Sequence, residues 1–291
     1  MKIYIDGKFY TEKNAKISVF DHGLLYGDGV FEGIRAYHGS IFKLEEHISR
    51  LFDSAKAIML SVPMSPLALM RAVSRTCWQN KVKDGYVRLV VTRGVGNLGL
   101  NPFNCRRASV IIIAGKIKLY PPALYRRGLD LITVPTTRTP SSALNPAIKS
   151  LNYLNNVLAK IEAIRAGVPE AVMLNTQGNV AECTGDNLFL VRGGQILTPP
   201  VSAGALAGIT RKVVIQLAGE HLGVNVQETA LTRYDLFTAD ECFLTGTAAE
   251  IIAAVKIDGR VVGSGRPGAI TQRLIALFRE LTRQEGFPIR P

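Results

Sequence analysis

Glu182-Cys183-Thr184-Gly185-Asp186-Asn187-Leu188-Phe189, then Ile196-Leu197-Thr198 and Leu206-Ala207-Gly208-Ile209-Thr210-Arg211, is the stretch on which the fold turns. Around it the apolar residues come in short runs, and 171–175, 179–182, 187–192 and 195–197 read as strands. The pattern then switches to helical spacing over 209–222. Short strands continue at 225–228, 241–244, 251–257 and 260–262, and a last helix covers about 268–285. Many short strands with interspersed helices, and no regular strand–helix–strand repeat, describe an α+β domain.

The first ~120 residues form a mixed unit of their own by the same periodicity. Strands are expected at 3–5, 8–10, 15–20, 30–37 and 41–44. Leu44, Ile48, Leu51, Phe52, Ala55 and Met59 mark an amphipathic helix around 45–59. Ser65 is a candidate N-cap with Pro66 in the first turn of a second helix. Strands follow at 86–93 and 109–118. Tyr120-Pro121-Pro122 breaks the pattern. We therefore expect a smaller N-terminal domain over 1–118, a linker at 119–126 and a larger C-terminal domain over 127–291. Within the latter, 129–134 is a strand and 136–145 a polar loop. Leu151, Leu154, Leu158 and Ile161 mark a helix ending near Gly167.

Composition narrows the function classes. The chain has 291 residues, 47% hydrophobic and 20% charged, which excludes disorder. No apolar run approaches the ~18 residues of a membrane helix, and the first residues lack the apolar core of a signal peptide. Cys77, Cys105, Cys183 and Cys242 never stand in Cys-x-x-Cys spacing. His22, His38, His47 and His221 show no ligand spacing, so no metal site is expected and a cytoplasmic location is. The net charge of +12 is uneven. Between Asp84 and Glu162 eleven basic residues face only Asp130, leaving 24 basic against 22 acidic elsewhere. A solvated basic face, a nucleic-acid surface and a field that gathers small anions all fit that excess. No aromatic RNA-binding motif or recognition helix accompanies it.

Several features are candidates for chemistry. Gly94-x-Gly96-x-x-Gly99 follows a strand, but no helix follows the glycines and no acidic residue occurs until Asp130. A dinucleotide loop needs both, so this is a glycine-rich loop. Residues 207–210 open a helix whose first N–H groups lack intrahelical partners, and 245–249 are small residues after a strand. Either alone is an ordinary turn; two in one domain favour a phosphate-bearing ligand. Lys149 lies among apolar neighbours before a helix, where desolvation would favour the neutral amine that a Schiff base needs. If that helix has begun, Tyr153 shares its face. Taken alone, Lys149 reads more simply as a surface lysine. Glu182 could cap a loop or pair with a buried cation, and Arg50 could flank the core beside Leu51.

Together these residues resemble the class IV aminotransferases, pyridoxal-phosphate enzymes of fold type IV. The family pattern is carried by Glu182-x-Thr184-x-x-Asn187-Leu188-Phe189, Ile196-x-Thr198 and Leu206-x-Gly208-Ile209-x-Arg211. The resemblance runs from Asp21-His22-Gly23 to Gly246-Thr247-Ala248-Ala249-Glu250. Within the family it looks most like the branched-chain amino-acid aminotransferases. Phe31-Glu32-Gly33-Ile34-Arg35, Tyr86-x-Arg88 and Gly96-Asn97-Leu98-Gly99-Leu100-Asn101-Pro102 carry that likeness.

The resemblance implies a D-amino-acid-aminotransferase-like α+β fold, with a smaller N-terminal domain and a larger C-terminal pseudobarrel that binds pyridoxal 5'-phosphate. It implies Lys149 as the Schiff-base lysine, Tyr153 on the ring hydroxyl and Glu182 on the pyridine nitrogen. Arg50, Gly208, Ile209, Thr210 and Thr247 would hold the phosphate, with Leu206 against the ring. Tyr86 and the N–H groups of Thr247 and Ala248 would meet the substrate carboxylate. Tyr26, Phe31 and Gly33 would line the side-chain pocket, with Arg35 among the substrate residues. Arg88, helped by Tyr26, would take glutamate's second carboxylate. The implied substrates are leucine, isoleucine, valine, glutamate, 2-oxoglutarate and other 2-oxo acids, with no nucleic acid or membrane partner. The implied assembly is a homo-oligomer, a dimer or a hexamer built as a trimer of dimers. A D-amino-acid aminotransferase or an aminodeoxychorismate lyase of the same fold is the alternative, and a basic nucleic-acid-binding protein the remote one.

Overall fold

The computed structural model describes residues 1–117 and 119–291. Lys118, expected at the end of a strand and of the first domain, lies outside the described residues. The chain gathers into two compact units. One holds Met1–Ile117, Ile148–Asn152 and Thr282–Pro291, and the other Lys118–Ala147 and Tyr153–Leu281. Two later segments, one of them carrying Lys149, thus return to the first unit.

The first unit is built on β1 (Lys2–Ile5), β2 (Lys8–Thr11), β3 (Gly29–Tyr37), β4 (Ser40–Ile41), β5 (Gly85–Thr92) and β6 (Ser109–Gly115). With Phe287–Pro288 they make, among the described residues, a seven-stranded antiparallel sheet. Its order is Phe287–Pro288, β4, β3, β5, β6, β1, β2. Its helices are α1 (His22–Tyr26), α2 (Leu44–Ala57) and α3 (Pro66–Gln79). The central strands alternate, as a sheet with one covered face must. Ile34, Leu89, Val91 and Ile112 are buried with Leu44, Ile48 and Leu51 of α2 and Leu69, Val73 and Cys77 of α3. Ser65 caps α3 by accepting from the Ala68 N–H, with Pro66 in its first turn.

Two strand expectations fail here. Residues 15–20 form no strand, because the Asp21 carboxylate caps α1 by accepting from the Gly23 N–H and takes the chain out of the sheet. The strand expected over 41–44 stops at Ile41, since Lys43 turns left-handed at φ 49° and α2 starts at Leu44.

One charge interrupts the apolar face of β3. Glu32 is fully buried between Val30 and Ile34 and meets α2. Its Oε2 is 2.7 Å from His47 Nδ1, and Arg50 donates from Nε to Oε1 (2.7 Å) and from Nη2 to Oε2 (2.8 Å). Burial pushes this carboxyl up, but the charges of His47 and Arg50 and their hydrogen bonds outweigh it and hold it at about 2. Burial also lowers His47, against the pull of Glu32.

The second unit carries β7 (Leu129–Val134), β8 (Glu170–Leu174), β9 (Val180–Cys183), β10 (Asn187–Arg192), β11 (Gln195–Thr198), β12 (Gln227–Glu228), β13 (Glu241–Gly246), β14 (Glu250–Ile257) and β15 (Arg260–Val261). Its helices are α4 (Pro122–Arg127), α5 (Leu154–Arg165), α6 (Ile209–Leu222) and α7 (Arg233–Phe237), and α8 (Ala269–Gln284) begins in it. The strand order is β12-β11-β10-β13-β14-β7-β8-β9, with β15 on β14. The sheet is mixed: β11–β12, β14–β7 and β7–β8 are parallel and the other pairs antiparallel. β9 lies at one end of that order and β10 near the other, yet only Thr184–Asp186 join them. So short a link forces the sheet to curl, and the Cys183 N–H bonds the Asp186 carbonyl across it (2.8 Å). Leu129, Leu131, Leu188, Leu190, Leu244 and Ile252 fill one face, while Phe189 and Phe243 stack at 5.0 Å.

Part of the expected linker is therefore α4, whose prolines suit a first turn. The strand expected over 225–228 shrinks to β12. The helix expected from Leu151 begins at Leu154, with Tyr153 as its N-cap. The reason is backbone conformation: 149–151 are held along β3, where Val30 bridges Ser150 and the Leu151 N–H bonds the Gly29 carbonyl (3.0 Å). Lys149 and Tyr153 therefore do not share a helical face.

Because its carboxyl titrates near 2 rather than at the ordinary 4.5, Glu32 stabilises the fold fully above 4.5 and loses that effect as pH falls through 2. Glu32→Gln is expected to cost about 3 kcal/mol at neutral pH, since it leaves Arg50 without its anion. Urea unfolding followed by Trp78 fluorescence should show the gap to wild type closing on acidification. A gap independent of pH would contradict the assignment.

Candidate active site

The placement of Lys149 follows from a short strand. On β3, β4 pairs with Ala36 and Tyr37, at the far end of that strand. The near end keeps an open edge, and 149–151 take it. Phe31 N–H donates to the Lys149 carbonyl (3.0 Å), Leu151 N–H to the Gly29 carbonyl, and Val30 bridges Ser150. The Lys149 N–H is satisfied by Ser54 Oγ on α2 (3.2 Å). These bonds set the amine 4.5 Å from the centre of the Phe31 ring.

Phe31 points to the sheet face opposite the helices, and so do Gly33 and Arg35. Register puts Gly33 opposite Arg88 and Arg35 opposite Tyr86, so all five share that face. A Cβ at position 33 would overlap the Tyr86 hydroxyl, which is why only glycine fits under that ring. The Arg88 guanidinium lies 4.5 Å from the Phe31 ring centre and 5.6 Å from that of Tyr86. The result is an apolar, aromatic surface carrying two cations, Lys149 and Arg88, over one ring. Arg35 lies farther along, 4.9 Å over Tyr37.

Tyr26, at the end of α1, is placed by other partners. Its hydroxyl donates to the Leu98 carbonyl, and its ring meets His22 edge-on at 5.0 Å. His22 Nε2 contacts the Asn97 carbonyl at 2.9 Å. The glycine loop at 94–99 is thus tied to α1, and the Tyr26 hydroxyl engages that loop instead of Arg88.

In the second unit, Glu182 is the third residue of β9 and is buried. Arg138 pairs with its Oε1 at 2.8 Å, while Oε2 accepts from the Leu206 N–H (2.9 Å) and Asn187 Nδ2 (3.3 Å). Asn187 also donates to the Leu206 carbonyl (2.9 Å), so this amide locks the approach to α6. Gly208, the N-cap of α6, lies against Asn187, where a Cβ would overlap the amide oxygen. It offers no side-chain cap, so the N–H groups of Ile209 and Thr210 meet none from their own N-cap. Thr245 stands opposite Asn187 in register, and its buried hydroxyl has no hydrogen-bond partner among the described residues. Thr247 and Ala248 form the tight turn between β13 and β14. Glycine at 246 leaves room for the Asp186 carboxylate, which a Cβ there would overlap.

These residues fit pyridoxal phosphate. An uncapped helix start accepts a phosphate, an orphaned buried hydroxyl seeks an acceptor, and a buried carboxylate suits a protonated ring nitrogen. Sequence reading missed three members of these clusters: Glu32, His47 and Arg138. Glu32 was visible as a lone charge at an apolar position of an alternating strand. Arg138 gave no signal, lying in an irregular loop. Arg106, Arg107, Arg126 and Arg127, the unassigned basic residues, are exposed. Among the described residues no cluster of His, Cys, Asp or Glu could hold a metal ion, and no helix is long and apolar enough to cross a membrane.

Residues 29–257 match the family model for amino-transferase class IV. A protein of Methanocaldococcus jannaschii, named provisionally as a branched-chain-amino-acid aminotransferase, is 53% identical over 289 residues, 99% of each chain. The crystal structure of the Escherichia coli branched-chain amino acid aminotransferase superposes with a TM-score of 0.93 at 37% identity, covering 97% of this chain and 94% of that one. The branched-chain amino acid aminotransferase of Thermobaculum terrenum, in its PLP-form, gives a TM-score of 0.89 at 32% identity over 97% and 94% of the two chains. The antiparallel first sheet and the curled mixed second sheet are those of fold type IV, and the chain belongs to the class IV aminotransferases.

Proposed function

We propose that this protein is a branched-chain amino-acid aminotransferase, moving an amino group between leucine, isoleucine or valine and 2-oxoglutarate with pyridoxal phosphate as cofactor. The observation that carries the reading is the shared face of β3 and β5. There Phe31 and the Tyr86 ring over Gly33 offer an apolar wall, and Arg88 offers a cation at its edge. An aliphatic side chain can lie on that wall, and a second carboxylate can reach the guanidinium.

The bound cofactor supplies an electron sink for the substrate's Cα–H bond. Lys149 is the residue we assign to hold it covalently and then to move a proton at the substrate Cα as general acid and base. Glu182 would hold the proton on the ring nitrogen. Tyr153 would meet the ring hydroxyl and Leu206 the ring face. Arg50, Gly208, Ile209, Thr210 and Thr247 would bind phosphate, Arg50 with its orientation set by Glu32. Tyr86 and the N–H groups of Thr247 and Ala248 would take the substrate α-carboxylate, with Tyr26 and Arg35 bordering the pocket. We retain the division into domains 1–118 and 127–291, with 148–152 and 282–291 returning to the first.

We further infer a cytoplasmic homo-oligomer, dimeric or hexameric. Leu154, Val157, Leu158, Ile161 and Ile164 leave an exposed apolar row on α5, a surface that self-association would cover.

The purified protein with pyridoxal phosphate should show a visible absorption band that changes on adding L-leucine, and Lys149→Ala should lose it. Absence of the band in wild type would sink the reading. A donor panel in which D-alanine or aminodeoxychorismate outperformed L-leucine would move the protein to another activity of the same fold. Arg88→Ala should slow the glutamate half-reaction by at least ~10-fold more than that of leucine, the scale of one lost charged hydrogen bond. Equal losses would remove the assigned role of Arg88. Sedimentation should find a dimer or larger; an active monomer would refute the assembly.

A further inference from the structure

The Arg138 guanidinium is almost completely enclosed, with 7% of the residue exposed, and each of its nitrogens is committed. Nε donates to the Gly204 carbonyl (3.2 Å), Nη1 to Asn156 Oδ1 (3.1 Å), and Nη2 pairs with Glu182 Oε1 (2.8 Å). Those acceptors are themselves fixed. Asn156, on α5, donates to the Thr184 carbonyl (2.9 Å). Gly204 is left-handed at φ 106°, and the Arg138 N–H is tied to the Leu174 carbonyl of β8 (2.8 Å). The guanidinium is therefore held with one nitrogen aimed at the carboxylate.

A buried ion pair is weak as a source of net stability, because desolvation offsets the attraction. What Arg138 changes is the charge state of its partner. Asn187 and the Leu206 N–H donate to the Glu182 oxygens as neutral groups, and Arg138 brings a full positive charge to Oε1. Removing that charge from 2.8 Å takes away a force that favours the ionised form of a buried carboxylate.

We propose that Arg138 is a positioning residue that keeps Glu182 ionised and aimed, so that the cofactor's ring nitrogen, and not Glu182, retains the shared proton. The proposal rests on the assignment of Glu182 as the ring-nitrogen partner. The balance is simple. With Arg138 present, the proton sits on nitrogen and Glu182 is an anion. Without it the proton moves to Glu182, the ring becomes neutral, and its pull on electrons from the substrate Cα weakens. Glu170, Asp186 and Cys183 are further titratable groups near this end of β9.

The test uses the holoenzyme with cofactor labelled with nitrogen-15 in the ring, whose chemical shift reports protonation directly. Wild type should show a protonated nitrogen. Arg138→Met should show a neutral one while still retaining the visible band. Its kcat with L-leucine should fall on the order of 100-fold, the scale of a lost electrostatic contact in an active site, with KM changed by less than ~3-fold. Arg138→Lys, which restores the charge, should recover the protonated signal and at least ~10-fold of the lost kcat. Should Arg138→Met fail to fold, Arg138→Gln reads the same signal. A protonated nitrogen in the neutral variant overturns the proposal. Glu182→Gln separates the two levels. If it too leaves the nitrogen protonated, the assignment of Glu182 fails; if it neutralises the ring while Arg138→Met does not, only the role of Arg138 fails.

Discussion

The pairing of 149–151 with the open edge of β3 is the constraint on which the first unit's chemistry depends. Two main-chain hydrogen bonds, Phe31 to Lys149 and Leu151 to Gly29, fix a segment that would otherwise continue the following helix. A segment held along a strand edge cannot take helical backbone angles, so α5 starts only at Leu154. The same bonds place the lysine amine over Phe31, beside a guanidinium that uses the same ring. Had β4 run the full length of β3, that edge would be filled and Lys149 would have no such seat.

Each unit also encloses a carboxylate that is held by an arginine. Glu32 meets Arg50 through two parallel hydrogen bonds with His47 alongside, and Glu182 meets Arg138 through one, with amide donors on the other oxygen. The difference matters. Glu32 is held by the charged Arg50 and by His47, and it sits at the acid end of the carboxylate range. Its work is to orient the arginine. At Glu182 the direction is reversed, and the arginine orients the carboxylate. The hydrogen bonds described for both arginines reach groups already fixed by the fold, which restrains the two guanidinium groups.

Much of this was legible from the chain alone. Alternation exposed the central strands because one face is covered and the other is not, and three-and-four spacing exposed α2 and α6 for the same reason. The family pattern around Glu182, Asn187 and Gly208 was legible too, and the structure supplies its cause: Asn187 bridges Glu182 to Leu206, and Gly208 is the residue that fits against it. What stayed hidden was whatever depends on a partner distant in sequence. Residues 15–20 alternate like a strand but find no neighbour, because Asp21 diverts the chain into α1. The start of α5 is decided by Gly29, more than 100 residues earlier. Arg138 sits in a polar loop whose composition says nothing of the four elements that converge on it.

The last strand of the first sheet, Phe287–Pro288, pairs with Ser40 and Ile41, and Ser74 of α3 accepts from the Arg290 N–H (2.9 Å). These contacts span more than 200 positions. A ribosome delivers β1 to β6 long before it delivers that strand, and it delivers the Lys149 segment in between. The sheet that emerges first is therefore the one completed last, its outer edge waiting until the residues of the second unit have been made. Unpaired edges invite pairing with other chains while they wait. The shortness of β4, which leaves room for Lys149 in the finished protein, also keeps that waiting edge small during synthesis.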